Sequence, residues 1–93
     1  MITELKTAGL NVEREKLIRV AYRDSIVGRH RLDLVVESAI ILELKAIRGI
    51  LPVHIAQVRS YLHATSYSTG IILNFGLAEL QWERVERQLV IQQ

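Results

Sequence analysis

Two carboxylates and a lysine, Asp33, Glu43 and Lys45, stand at a spacing that lets them meet across a strand pair. Side chains alternate between the two faces of a strand. Leu32, Leu34 and Val36 therefore share one face of a strand over residues 30–36, and Ile40, Leu42 and Leu44 share one face of a strand over residues 40–45. With Glu37-Ser38-Ala39 as a three-residue turn, these six apolar residues form one dry surface. The opposite face then sets Asp33 across from Glu43 and Arg31 across from Lys45, with Val35 and Ile41 nearer the turn. A two-residue turn would put Asp33 opposite Leu42 and break the pairing. Like charges directly opposite are unfavourable in a sheet, so the arrangement needs a compensating cation: arginine, lysine or a metal.

An exposed face neutralised by Arg31 and Lys45 meets that need without any chemistry. Two features weigh towards a site. Residues 40–44 are too apolar for an edge strand, which places them centrally with cover on both faces. The helix that follows presents His54, Gln57 and Tyr61 on one stripe, between the apolar sets Ile55 with Leu62 and Val58 with Ala64. His54 reads as a helix-start residue. For Gln57 and Tyr61, plain helix-to-sheet packing with one hydrogen bond each weighs evenly against a functional role.

The elements that position these residues follow from punctuation and periodicity. Residues 2–8 form a short helix closed by Gly9, and residues 12–22 an exposed strand rich in β-branched and charged residues. Asp24-Ser25 turns the chain, and Gly28 offers a bulge. After the strands at 30–36 and 40–45, Pro52 opens a helix running to about residue 64. Residues 68–75 form a short apolar strand of the kind found inside a sheet. Beyond Gly76, residues 80–91 form a last strand or strand pair. The order is α-β-β-β-α-β-β, one α/β (α+β) domain over residues 1–93.

Composition bounds the partners. Of 93 residues, 49% are apolar, so a real core is expected and global disorder is excluded. The absence of cysteine excludes disulfides, thiolate zinc sites and thiol nucleophiles. No apolar run reaches the length of a membrane span and no stretch reads as a signal peptide, so the cytoplasm is the expected location and no membrane partner is expected. The net charge is only +2. Arg14, Lys16, Arg19 and Arg23, then Arg29, His30 and Arg31, crowd the first third, where a solvated strand face accounts for them better than a phosphate track. Tyr22, Tyr67 and Trp82 are too scattered to suggest base stacking, and Asn74-Phe75-Gly76 reads as a strand end and turn.

Asp33, Glu43-Leu44-Lys45 and Gln57-x-x-x-Tyr61 resemble the D…ExK…QxxxY pattern of RecB-type nucleases in the PD-(D/E)xK, or restriction-endonuclease-like, superfamily. Nearly the whole chain is similar to the small bacterial GxxExxY branch of that superfamily. The likeness lies in Arg31-Leu32-Asp33-Leu34-Val35-Val36-Glu37, Ile41-Leu42-Glu43-Leu44-Lys45-Ala46, Pro52-Val53-His54-x-Ala56-Gln57, Tyr61-Leu62-x-Ala64-Thr65, Gly70-Ile71-Ile72-Leu73-Asn74-Phe75-Gly76 and Arg84.

The resemblance implies a restriction-endonuclease-like core and a Mg2+- or Mn2+-dependent nuclease acting on nucleic acid, with DNA ahead of RNA. Asp33, Glu43 and the Leu44 carbonyl would hold the metal, since hard oxygen donors suit these ions. Lys45 would orient or deprotonate the attacking water. Gln57 would contact that water or the substrate phosphate, Tyr61 would support Gln57 or touch the nucleic-acid backbone, and Arg31 would bind the substrate. The alternative is a binding or assembly module that keeps the fold without turnover.

The GxxExxY segment itself is missing. The chain begins within the helix that carries it, leaving Glu4-Leu5 as a match to its tail. Ile2, Leu5 and Ala8 remain to cover one sheet face, which leads to the expectation of a homodimer that buries the rest.

Overall fold

In the computed structural model, which describes residues 1–21 and 27–87, the chain runs α1 (Ile2–Thr7), β1 (Val12–Ala21), β2 (Val27–Val36), β3 (Ile40–Lys45), α2 (Pro52–His63), β4 (Thr69–Asn74) and β5 (Gln81–Glu86). The five strands form one mixed sheet in the order β1-β2-β3-β4-β5. All pairs are antiparallel except β3 with β4, which α2 connects in parallel. The element order is the expected one. The proposed turn at Asp24-Ser25 and the end of the last strand beyond residue 87 lie outside the described residues.

Each local device has an identifiable cause. Gly9 adopts φ +84 just past α1, the left-handed position that ends a helix at little cost for glycine. The β2–β3 connection is the three-residue turn, made possible by left-handed Glu37 (φ 56) and Ser38 (φ 52) and closed by Ala39 N–H donating to the Val36 carbonyl at 3.1 Å. Pro52 stands in the first turn of α2, where its missing N–H costs nothing. His54 accepts from the Leu51 N–H through Nδ1 at 2.8 Å and caps that end, as a helix-start residue should. At the other end of α2 the Arg87 guanidinium donates to the carbonyls of Leu62, Thr65 and Tyr67, putting a cation where the helix dipole favours one. Gly28 pairs regularly with Val20, so the expected bulge is not there.

The sheet has a core on each face. Ile18, Val20, Leu32, Val35, Ile41, Ile72 and Val85 pack with Val58, Tyr61 and Leu62 of α2. Leu34, Val36 and Leu42 pack beneath Ile2, Leu5 and Leu10 on the other face. Ala8 is exposed, and Leu10 takes the part expected of it.

Leu32 is also a correction. Strict alternation groups it with Leu34 and Val36, yet it lies on the α2 side with Val35. The same inversion occurs on β1, where Val12 faces α1 while Ile18 and Val20 face α2. Pairing runs Arg14 with Leu34 and then Lys16 with Leu32, skipping Glu15 and Asp33 without changing register. Glu15 has φ 50, a left-handed conformation in mid-strand. One residue on each strand thus drops out of the ladder together, and alternation resumes on the opposite face.

Candidate active site

The β2–β3 ladder pairs Val36 with Ile40, Val35 with Ile41 and Leu34 with Leu42, and stops there. Beyond it β2 continues with β1 alone, and β3 with β4 alone. The sheet therefore forks, and Asp33 and Glu43 are the first residues past the last shared pair. At the fork, side-chain carboxylates replace ladder carbonyls. The Leu44 N–H donates to Asp33 Oδ2 at 2.8 Å, and the Asp33 N–H points to Glu43 Oε1 at a long 3.5 Å. Asp33 and Glu43 follow the last ladder pair without pairing across the strands themselves; the link between them is from the Asp33 N–H to Glu43 Oε1. Arg31 is not across from Lys45 in a ladder, because the strands have parted; it pairs with Leu17 on β1 and is exposed.

Glu43 is 4% exposed. Burial, and then the Asp33 charge, push its pKa up to about 7, against the smaller opposing pull of the Asp33 N–H and of Lys45. Burial thus outweighs the opposing pull of the nearby Lys45 charge. Lys45 lies one pleat along on the same face and acts electrostatically on both Glu43 and His30. The structure thus brings Asp33, Glu43 and Lys45 together.

It adds a residue that sequence reasoning passed over. His30 Nε2 lies 3.7 Å from Glu43 Oε2, too long for a direct hydrogen bond, and has no hydrogen-bond partner among the described residues. Burial lowers the His30 pKa, which disfavours the charged ring beside Glu43. The imidazole is stacked on Tyr61, ring centroids 4.0 Å apart and planes 12° apart. Tyr61 is accordingly a core residue, 7% exposed, rather than a surface side chain. Gln57 stands one helical turn earlier on the same stripe, exposed, with its backbone carbonyl accepting from Ser60 Oγ at 2.6 Å; among the described residues no hydrogen bond joins its side chain to the carboxylate pair.

A polar clamp fixes the limb that carries Lys45. Asn74 is fully buried and fully used: Oδ1 accepts from the Ile47 and Gly76 N–H groups at 2.9 and 3.0 Å, while Nδ2 donates to the Ile47 carbonyl at 3.0 Å and to Gln81 at 3.1 Å. Gln81 Oε1 in turn accepts from the Ile50 N–H at 3.0 Å. Gly76 lies so close that an added Cβ would fall 2.2 Å from the Ile47 carbonyl oxygen. This strand end is structural, as its sequence suggested, and it holds the loop between Lys45 and α2.

On the α1 side of the fork an open cleft of about 500 Å³ is lined by Met1, Ile2, Thr3, Arg14, Glu15, Asp33, Leu34 and Leu44. Among the described residues no three His, Cys, Asp or Glu side chains gather into a metal site. The protein offers a pair of carboxylates beside the Leu44 backbone. That donor set fits a small hard cation that keeps much of its water, and not one needing a cage of protein ligands.

A family model for the PD-(D/E)XK nuclease superfamily matches residues 1–85, and the chain belongs to that superfamily. Among solved structures, the chain is similar to the crystal structure of SSO0001, with a TM-score of 0.70 and 22% identity over 96% of this chain and 47% of the other. It is also similar to an alkaline exonuclease from Laribacter hongkongensis, with a TM-score of 0.65 and 16% identity over 94% of this chain and 52% of the other. The chain thus spans about half the length of these structures, and the likeness is one of fold. No curated protein matches the chain. No helix among the described residues is long and apolar enough to cross a membrane.

Proposed function

We propose that this domain is a Mg2+- or Mn2+-dependent nuclease that hydrolyses phosphodiester bonds, with DNA as its substrate, and that within the superfamily it falls in the GxxExxY branch. The observation that carries the reading is the fork. Two carboxylates meet there through the strand ends, and burial, then the Asp33 charge, drives the buried one, Glu43, to a pKa of about 7. Asp33 and Glu43 would hold the ion. The Leu44 carbonyl is a fitting third donor, because the N–H and C=O of a strand residue point to the same neighbour and the Leu44 N–H points at Asp33. Such an ion supplies Lewis-acid neutralisation of the phosphoryl oxygens and the leaving group.

The chain's own residues do the rest. Lys45, on the face of Glu43, orients the attacking water and opposes the charge that grows on the phosphoryl group. His30 packs against Glu43 from the other limb of the fork, held in plane by Tyr61, so Tyr61 acts on the site through His30. Gln57 and Arg31, both exposed, would contact the substrate phosphates. A homodimer belongs to the same proposal. Leu44, Leu73 and Trp82 form a cross-strand row that α1 leaves uncovered, with Leu44 and Trp82 39% and 59% exposed.

The test is titration with Mn2+ by calorimetry, followed by cleavage of labelled single- and double-stranded DNA and RNA. Saturable binding with metal-dependent cleavage is expected. Nucleic-acid binding without cleavage at any metal concentration would replace the enzyme with the non-catalytic module.

A further inference from the structure

Four arginines of the first third, Arg14, Arg19, Arg29 and Arg31, come together on one face of the folded arm. Arg19 lies directly opposite Arg29 in the β1–β2 ladder, and Leu17 directly opposite Arg31. Directly opposed residues share a face, and Ile18, Val20 and Leu32 occupy the α2 face, so Leu17, Arg19, Arg29 and Arg31 stand on the other. All four are exposed. Arg14, paired with Leu34 of the α1-side core, continues the line and lines the cleft that contains Asp33. Among the described residues none of these arginines has an ion-pair partner; Lys16, which does pair with Glu13, faces the other way, over the Tyr67 ring.

Opposed like charges are unfavourable in a sheet, and Arg19 against Arg29 is such a pair, while Arg31 and Arg14 stand opposite Leu17 and Leu34 on the same face. We infer that the outer face of the β1–β2 arm is a track for a nucleic-acid phosphate backbone, with Arg19 and Arg29 at its far end, Arg31 midway and Arg14 delivering the strand to the cleft at Asp33. Successive rows on one face of a strand advance by about 6.8 Å, the axial advance of two nucleotides at roughly 3.4 Å each. The track deepens the nuclease reading and rests on it for the position of the reacting phosphate, but its binding energy comes from residues outside the fork.

The experiment measures binding of labelled single-stranded and duplex DNA by fluorescence anisotropy, in chelator so that nothing is cut, across a salt series. The double variant Arg19→Ala/Arg29→Ala is compared with Lys6→Ala/Arg84→Ala, which removes the same charge from other exposed positions. The arm variant is expected to bind at least 10-fold more weakly than the parent at about 0.1 M salt. Its slope of log affinity against log salt should shrink by about 1.4–1.8, two phosphates at 0.7–0.9 each. The control should change less than about twofold. Arg19→Lys/Arg29→Lys should keep most of the slope, and thermal melts should show the arm variant no less stable than the parent, since a repulsive pair has been removed.

Hydrolysis of a small chromogenic phosphodiester with Mn2+ separates the two readings. If parent and arm variant hydrolyse it alike while the variant alone loses DNA affinity, both stand. If the parent hydrolyses nothing yet the arm slope effect appears, the track stands and the enzyme falls. Equal DNA affinities and slopes for arm and control variants, or a parent that binds no DNA, would overturn the track.

Discussion

Asp33 and Leu44 are joined across the fork by a 2.8 Å hydrogen bond from the Leu44 N–H to the Asp33 carboxylate, at the point where β2 and β3 cease to pair. The carboxylate stands in for the carbonyl that a continuing ladder would have supplied. Structural and candidate metal-binding roles therefore fall on one side chain, and they can be separated.

Asp33→Asn keeps an oxygen acceptor for the Leu44 N–H but removes the charge. It should fold with stability within about 1 kcal/mol of the parent while losing Mn2+ binding and cleavage. Asp33→Ala loses the acceptor as well and should cost about 1 kcal/mol more in urea denaturation. If Asp33→Asn bound Mn2+ as tightly as the parent, Asp33 would not be a ligand.

Lys45→Ala should leave the fold and Mn2+ affinity close to the parent, because the Lys45 side chain is half-buried on the polar face and outside both core clusters. Hydrolysis should fall by about 10²–10⁴, the usual worth of a positioned proton-transfer or charge-stabilising group. Single-turnover rates with saturating metal measure this directly. An unchanged rate would remove Lys45 from the chemistry.

The three-residue turn, the β2–β3 register up to Leu34 and Leu42, and the central place of β3 were legible because period-2 alternation and turn chemistry act locally. The faces of Leu32 and His30 were not. Both stand an odd number of residues from Val35, so unbroken alternation turns them to the face opposite it, yet both lie on the α2 side with it. Glu15 breaks the pattern from the neighbouring strand with a φ of 50. Nothing about a glutamate in a charged, β-branched stretch signals a left-handed conformation. His30 reaches Glu43 only because of that inversion. The arginine track was hidden for the same reason: its members gather only after the arm's faces are known. The sequence left Tyr61 between packing and function, because the helix stripe it shares with Gln57 is exposed at one end and enters the core at the other.

Asn74 offers a test of the scaffold apart from the chemistry. Asn74→Ala would leave the Ile47 N–H and the Gln81 side chain without a shared partner in a buried place. Such losses cost about 1–3 kcal/mol for each unsatisfied group, so a drop of about 2–4 kcal/mol is expected by denaturant unfolding. Cleavage should fall further than the folded fraction does, because the loop after Lys45 is no longer pinned. Asn74→Asp would retain the acceptor for Ile47 and Gly76 while losing the donor, and should fall between the parent and Asn74→Ala. A fully stable Asn74→Ala protein would show that the clamp is redundant.

Glu43 makes stability depend on pH in an unusual direction. Its carboxyl titrates near 4.5 when free of the fold and near 7 within it. Between those values the folded protein holds a proton that the unfolded chain has released, so stability falls as pH rises through this window and stays low above it. The full effect is on the order of 3 kcal/mol. His30 works oppositely on the acid side: its pKa is lowered below 6.5 by burial, so the unfolded chain takes the extra proton there and stability rises with pH towards 6.5. The parent should therefore be more stable near pH 6 than at pH 8. Glu43→Gln, which cannot ionise, should lose the decline and exceed the parent at pH 8. Saturating Mn2+ should abolish the decline in the parent by favouring the ionised carboxylate, and should have no such effect on Glu43→Gln. Chemical denaturation at half-unit steps from pH 5 to 8.5, with and without Mn2+, measures all three curves. Coincident pH profiles for parent and Glu43→Gln would mean that the fork does not hold Glu43 away from solvent as described.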